Sequence, residues 1–307
     1  MLGGSRRLAS AGIASANQDA AALAAHALGS EGEADLTPTR DQLAAFASLV
    51  EQRCARVPIE RLTGWVRFRQ LDLLVGEGLF LPQPETSCVV GWVADAARRL
   101  IASGRENPVC VDLCCGAGTI ALSVASEVPQ AIVHGVEVDP GAHAWAARNA
   151  HRLALDVHLH GMDSAEALDE LNGSVDIVTS NPPYVATGEL ASVSPEVRDH
   201  DPAITLAGGD DGLDVIRIVE RTARRLLRPG GTLAVEHSDR QGQAALNLFH
   251  RSTYWTNLAA HQDHERLDRF ITATRLRARV RSVAGRELLG VDHYIRAGPG
   301  IKDLGEA

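Results

Sequence analysis

The sequence predicts an α/β protein: a mostly parallel sheet with helices on both faces, preceded by a small helical module. Three observations predict it. From Val109 onward, short apolar runs alternate with helical runs of nine to fourteen residues, the pattern of repeated strand–helix units. A glycine turn, Gly116 and Gly118, falls where the first of these strands passes into a helix. Before residue 66 the apolar spacing is only helical.

The N-terminal elements come first. From Arg7 to Leu28 the apolar positions Leu8, Ile13, Ala21, Leu23, Ala25 and Leu28 predict a helix, and Gly29-Ser30-Glu31-Gly32 reads as a turn. Thr39 to Arg56 gives a second helix with Leu43, Phe46, Leu49 and Val50 on one face, stopped at Pro58. Residues 1–65 therefore form a helical module, short for an independent folder and expected to dock on the larger domain C-terminal to it. Between Val66 and Leu81 the pattern alternates around Gly76 and Gly78, which predicts a β-hairpin linker over 66–82.

A helix resumes from Glu85 to Ile101. Then come strand Val109–Leu113, helix Thr119–Glu127, strand Ile132–Val138, helix Gly141–Leu153 and strand Val157–His160. Val175–Ser180 is a fourth strand, Asp214–Leu227 a long helix, and Thr232–Glu236 a fifth strand behind the turn Pro229-Gly230-Gly231. Arg269–Val283 alternates and predicts one or two further strands. The main domain spans 83–276, and 277–307 forms a Gly- and Arg-rich extension of unassigned fold.

Composition excludes several classes. Of 307 residues, 45% are apolar and 22% charged, which disfavours disorder and collagen-like sequence. No window approaches the roughly 20 uninterrupted apolar residues of a bilayer span, so no membrane partner is expected. Asn17, Gln18 and Asp19 stand where a signal peptide needs apolar residues. Five cysteines, including the adjacent pair Cys114-Cys115, match neither a disulfide framework nor a paired zinc motif, and suit reduced thiols in the cytoplasm. The net charge of −9 argues against direct nucleic-acid specificity.

The chemistry concentrates in a few segments. Val-Asp-Leu-Cys-Cys-Gly-Ala-Gly-Thr, residues 111–119, places Gly116 and Gly118 where backbone approaches a ligand and the next helix offers free N–H groups. Gly116-Ala-Gly118-Thr-Ile-Ala121 also satisfies the looser dinucleotide fingerprint, so NAD competes at this point. Glu137, at the end of the second strand, is placed to bind both hydroxyls of a ribose, which NAD and S-adenosylmethionine share. Asp112, an acid just before the glycine turn, suits a cationic amino-acid end and favours S-adenosylmethionine. Asp163, after the third strand, is placed to accept an adenine amine.

The decisive segment is Ser180-Asn181-Pro182-Pro183-Tyr184, directly after the fourth strand. An amide nitrogen is a poor nucleophile, so an enzyme must hold its N–H groups with acceptors and aim it. Asn181 offers its side-chain oxygen, Pro182 its carbonyl, and Tyr184 a flat wall beside a planar group, in a loop stiffened by proline.

With these motifs the chain resembles a class I S-adenosylmethionine-dependent methyltransferase, and more closely the release-factor N(5)-glutamine methyltransferase family. Further support comes from Phe80-Leu-Pro-Gln-Pro-Glu-Thr86, from Val197-Arg-Asp-His-Asp-Pro202 with Gly208-Gly-Asp-Asp-Gly-Leu213, and from Arg228-Pro-Gly-Gly231 through Glu236. The resemblance runs to about Arg275 and implies a Rossmann-like, mostly parallel seven-stranded sheet. It also implies a helical substrate-docking domain and transfer of a methyl group to the glutamine amide of the Gly-Gly-Gln loop in a release factor. By the same resemblance Phe80 and Thr86 border the cofactor's methionine end, completing a cofactor set with Asp112, Cys114, Gly116, Gly118, Glu137, Asp163 and Asn181. Asn181, Pro182 and Tyr184 form the catalytic set, S-adenosylhomocysteine is the product, and no metal is required.

Three departures stand out: Gln83 replaces the family's arginine, Ser87 its glutamate, and Cys114 its usual glycine or small residue. They leave open an alternative acceptor, a small-molecule amide or guanidine such as free arginine. Two other features carry less. Arg275, Arg277, Arg279 and Arg281 alternate with apolar residues, which reads as a solvated strand face, and His158, His160 and His261-x-x-His264 lack the further ligands of a metal site.

Overall fold

The computed structural model describes residues 2–29 and 37–276. The expected extension over 277–307, and the part of the last strand beyond Leu276, lie outside the described residues.

The N-terminal module holds four helices, α1 (Leu2–Ser10), α2 (Ala16–Leu28), α3 (Arg40–Cys54) and α4 (Ile59–Thr63). They close over Leu8, Ile13, Leu23 and Val50, all buried. The single helix expected over 7–28 is two. Gly12 takes a left-handed conformation (φ 75°) that ends α1 and turns Ile13 into the core. Helix α3 starts at a capping box, with the Thr39 hydroxyl accepting from the Gln42 N–H at 3.2 Å and the Gln42 side chain accepting from the Thr39 N–H at 2.9 Å.

The hairpin forms from β1 (Trp65–Phe68) and β2 (Leu71–Leu74), with Phe68 opposite Leu71. Its turn is at Arg69-Gln70, not at Gly76 and Gly78, which lie in the loop beyond it. Arg69 adopts a left-handed φ of 51° while its guanidinium bonds Glu127 and the Ser87 hydroxyl, so tertiary ion pairing stabilises a turn that carries no glycine. Asn149, fully buried, clamps the hairpin onto the main domain by bonding both backbone groups of Leu74 and the Ala117 carbonyl.

The main domain contains α5 (Thr86–Ala102), β3 (Val109–Leu113), α6 (Thr119–Glu127), β4 (Ile132–Glu137), α7 (Pro140–Leu153), β5 (His158–Gly161), β6 (Val175–Ser180), α8 (Pro195–Arg198), α9 (Asp214–Leu226), β7 (Leu227–Glu236), α10 (Gly242–His250), β8 (Trp255–Gln262) and β9 (Asp268–Arg275). The sheet runs β5-β4-β3-β6-β7-β9-β8, with β9 antiparallel to both neighbours. Strands β3 and β6 are buried almost throughout because both faces are covered, and the apolar positions of β6 are Val175, Ile177 and Val178. Alternate residues serve opposite layers: Cys110 packs with Val89, Val93 and Ile120, whereas Val111 packs with Ile216, Val219 and Phe249.

Four elements, the short helices α4 and α8 together with α10 and β8, are not predicted by the sequence pattern. Trp255-Thr-Asn-Leu-Ala-Ala-His-Gln lacks a β-branched apolar face, and β8 is held at the sheet edge by pairing with β9 alone. Strand β7 also begins earlier than predicted, at Leu227, because the Pro229-Gly230-Gly231 turn is absorbed as an irregularity in its pairing with β6.

The helical module is tied to the main domain by arginines. Arg61 bonds the Gly76 and Leu79 carbonyls at 2.7 and 2.6 Å and pairs with Asp201 at 2.6 Å. Arg53 and Arg56 both reach Glu196 on α8, at 3.4 and 3.1 Å.

Candidate active site

Strand β3 leads to β4 on one side and β6 lies on the other, so the chain leaves the two central strands in opposite directions. A crevice must open over their carboxyl ends. A cleft of about 650 Å³ occupies that place. It is lined by Phe80, Thr86, Asp112, Cys114, Gly116, Glu137, Asp163, Asn181, Pro182 and Tyr184. Of the predicted site residues only Gly118 lies outside the lining. Its role is to start α6, with φ at 86° and a Cβ that would sit 2.7 Å from Leu122 Cδ1.

The glycine turn is held by its acids. Glu137 accepts from the Gly116 N–H and the Asp139 N–H, each at 2.8 Å, fixing the turn from beneath. Gly116 has φ at 56° with open space where a Cβ would stand, so the cleft reaches its backbone. Cys114 shares this left-handed conformation at φ 61°, the physical reason a glycine suits the position. Asp112 accepts from the Ala121 N–H at 3.1 Å through Oδ2, while Oδ1 is buried without a partner. Burial holds the Asp112 carboxyl well above the usual carboxylate range. Asp163 accepts from the Ala165 N–H at 2.8 Å and stands exposed at the cleft's edge.

Across the cleft, Asn181 donates from Nδ2 to the Thr86 hydroxyl at 3.2 Å. That bond joins the turn after β6 to the first residue of α5. Pro182 is buried, and Tyr184 is held by its carbonyl, which accepts from Gln241 Nε2 at 2.8 Å. Gly212 packs so closely on the same carbonyl that a Cβ would lie 2.4 Å from it, the reason the Gly208–Leu213 motif is glycine-rich.

Sequence reasoning missed Gln241, because α10 carries no clear pattern, and it missed the rim. Val193, Val197, Ile204 and Leu206, from the segment between Thr187 and Ala207, give the mouth an apolar lip, opposite Val215 and Ile218 on α9. Glu236 was legible only as the end of a strand. It is completely buried, and burial pushes its carboxyl up to about 8. The departures separate: Gln83 lines the cleft, whereas Ser87 does not and bonds Arg69 at 2.9 Å instead. His158 and His160 gather with His134 on the edge of the sheet, remote from the cleft lining, and His134 Nδ1 lies 3.1 Å from His160 Nε2. Among the described residues no three His, Cys, Asp or Glu side chains are grouped to hold a metal ion. No described helix is long and apolar enough to cross a membrane.

The residues fit a cationic adenosyl ligand. An orphaned buried carboxylate oxygen calls for a positively charged donor, and bare backbone at Gly116 leaves room beside it. The cleft volume lies within the range usual for small-molecule sites. The dinucleotide reading fails on the sheet, where an antiparallel strand, β9, is inserted between β7 and β8 in place of the fully parallel order of dinucleotide folds. The protein is a class I S-adenosylmethionine-dependent methyltransferase.

Comparison with known proteins narrows the class. Residues 94–196 match the family described as methyltransferase small domain, and residues 3–64 the PrmC N-terminal domain. The hMettl16 catalytic domain shares the fold, with a TM-score of 0.51 at 16% identity over 66% of this chain and 73% of that one. The release factor glutamine methyltransferase of Streptomyces coelicolor is 46% identical over 87% of this chain and 94% of its own length. That of Mycolicibacterium smegmatis is 41% identical over 88% and 94%. The 4-amino-L-phenylalanine/4-methylamino-L-phenylalanine methyltransferase of Streptomyces pristinaespiralis is 37% identical over 83% and 87%. The chain belongs to the release factor glutamine methyltransferase family.

Proposed function

We propose that this enzyme methylates the side-chain amide nitrogen of the glutamine in the Gly-Gly-Gln loop of a peptide-chain release factor, in the cytoplasm. The observation that carries the reading is the Asn181–Thr86 bond, which engages the NH2 of Asn181, a cleft-lining residue, and leaves its carbonyl oxygen free to accept. A primary amide presents two N–H groups to be held. Asn181 Oδ1 and the Pro182 carbonyl accept one each, and Tyr184 lies alongside the planar group. The names of the Streptomyces coelicolor and Mycolicibacterium smegmatis relatives support this acceptor.

Asp112 Oδ1 holds the cationic amino-acid end of the cofactor, Glu137 its ribose hydroxyls and Asp163 its adenine amine, with Phe80, Thr86, Cys114 and Gly116 along the wall. When bound, S-adenosylmethionine supplies an electrophilic methyl on a sulfonium sulfur. The chain's own contribution is positioning. It aims the amide lone pair and excludes water behind Val193, Val197, Ile204 and Leu206. Transfer would break the sulfur–methyl bond, leaving S-adenosylhomocysteine, and the proton displaced from the nitrogen, held by Asn181 Oδ1 or the Pro182 carbonyl, would pass to bulk water as the product leaves.

The test offers methyl-labelled S-adenosylmethionine to a release factor, a Gly-Gly-Gln peptide, free arginine, free glutamine and 4-amino-L-phenylalanine, and locates the added mass. Label on the release factor glutamine is expected. Label on a free amino acid with none on the release factor overturns the reading in favour of a small-molecule acceptor.

A further inference from the structure

Glu236 ends β7, and the register Ser180↔Val235 between β6 and β7 sets it beside Asn181, one residue beyond the last pair. It is 0% exposed, and neither carboxylate oxygen has a partner of full hydrogen-bond geometry. Thr86 and Tyr184 are the hydroxyl side chains close enough to bear on its charge, and neither makes a hydrogen bond to it in this structure. Arg269, Glu85 and Cys88 are the other titratable groups near it. A buried carboxyl left this poorly paired is costly, and packing alone gives no reason for it.

The reason lies in what a threonine hydroxyl can do. It has one hydrogen to give and lone pairs to receive. If its hydrogen goes to Glu236, its oxygen can only accept from Asn181. An asparagine amide has two ends of nearly equal shape, and only one of them suits an acceptor amide that presents N–H groups. We propose that Glu236 is a positioning residue that acts through Thr86: by taking the Thr86 hydrogen it dictates that the Asn181 carbonyl, not its NH2, faces the acceptor. Only the ionised carboxylate is purely an acceptor, so the comparison with glutamine is made above about pH 8, where Glu236 is ionised.

This proposal rests on the reading of Asn181 as holder of the acceptor amide, and its test separates the two. In the full-length enzyme, Glu236→Gln preserves shape but brings a donor that competes for the Thr86 oxygen. Single-turnover methyl transfer is expected to fall roughly tenfold or more in Glu236→Gln, about what losing one directed hydrogen bond costs. Its affinity for S-adenosylhomocysteine is expected to stay within about threefold. Thr86→Val is expected to slow transfer similarly, and the double variant to be no slower than Thr86→Val alone. An unchanged rate in Glu236→Gln, or losses that multiply in the double variant, overturns the proposal.

A second readout needs no acceptor. In 15N-labelled enzyme with S-adenosylhomocysteine, the Asn181 side-chain NH2 resonances are expected to move in Glu236→Gln, and unmoved resonances overturn the proposal as well. If the wild type labels none of the acceptors, the functional reading fails while these resonances still decide the role of Glu236.

Discussion

Asn181 and Thr86, 95 positions apart in the chain, are joined by a 3.2 Å hydrogen bond that links the turn after β6 to the start of α5. The two sides of the cleft are therefore one mechanical unit, and several consequences can be measured.

Asn181→Ala removes one of the two acceptors proposed for the amide without touching the glycine turn. Transfer is expected to fall by at least about a hundredfold, the scale of losing a positioned group at the reacting centre, while cofactor affinity stays within a few-fold. Calorimetry with S-adenosylhomocysteine beside single-turnover rates checks this, and an equal loss of both would merge the roles of the two loops.

Asp112 is uncharged more readily than an ordinary carboxylate, because it is buried and one oxygen lacks a partner. A cation docked on that oxygen favours the ionised form, so binding of S-adenosylmethionine should release a proton wherever the free enzyme holds Asp112 protonated. Binding enthalpy is then expected to vary with the ionisation enthalpy of the buffer in the wild type and not in Asp112→Asn, whose affinity drops about tenfold or more. Buffer-independent enthalpies in the wild type would refute the assignment.

Glu236 has its carboxyl raised from 4.5 to about 8, first by burial, with Thr86 and Arg269 pulling it back and Glu85 adding to the rise. An acid raised in the folded state stabilises the fold fully below its unfolded value, and that stability is lost as pH rises through the folded value. The wild type should therefore lose stability relative to Glu236→Gln between about pH 4.5 and about pH 8. Paired urea titrations across that window check the sign. A constant difference would show that Glu236 does not titrate there.

Arg61 satisfies two backbone carbonyls and the carboxylate of Asp201, whose side chain is 2% exposed. Arg61→Ala leaves that carboxylate buried and alone, at an expected cost of about 3–5 kcal/mol of unfolding free energy. A loss below about 1 kcal/mol, typical of surface pairs, would mean that the segment around Asp201 opens to water at little cost.

Much of this protein was legible along the chain. The parallel strands announced themselves because burial on both faces favours short Val- and Ile-rich runs between helical segments, as in Val109–Leu113 and Val175–Ser180, even though Asp112 and Asp176 interrupt them. The glycine turn and the N-P-P-Y turn were equally plain, since their chemistry resides in consecutive residues and they sit at the strand ends where a crevice must form. Tertiary structure alone decided where the hairpin turns, because Arg69 takes a strained conformation for the sake of Glu127 and Ser87. It alone showed that Gly118 shapes a helix start while Gly116 meets the cleft. It alone brought Glu236, Thr86 and Gln241 to the turn of Asn181 and Tyr184. Periodicity reports which face of an element is buried, but a hydrogen bond between residues far apart in sequence depends on register and packing, which exist only once the chain has closed on itself.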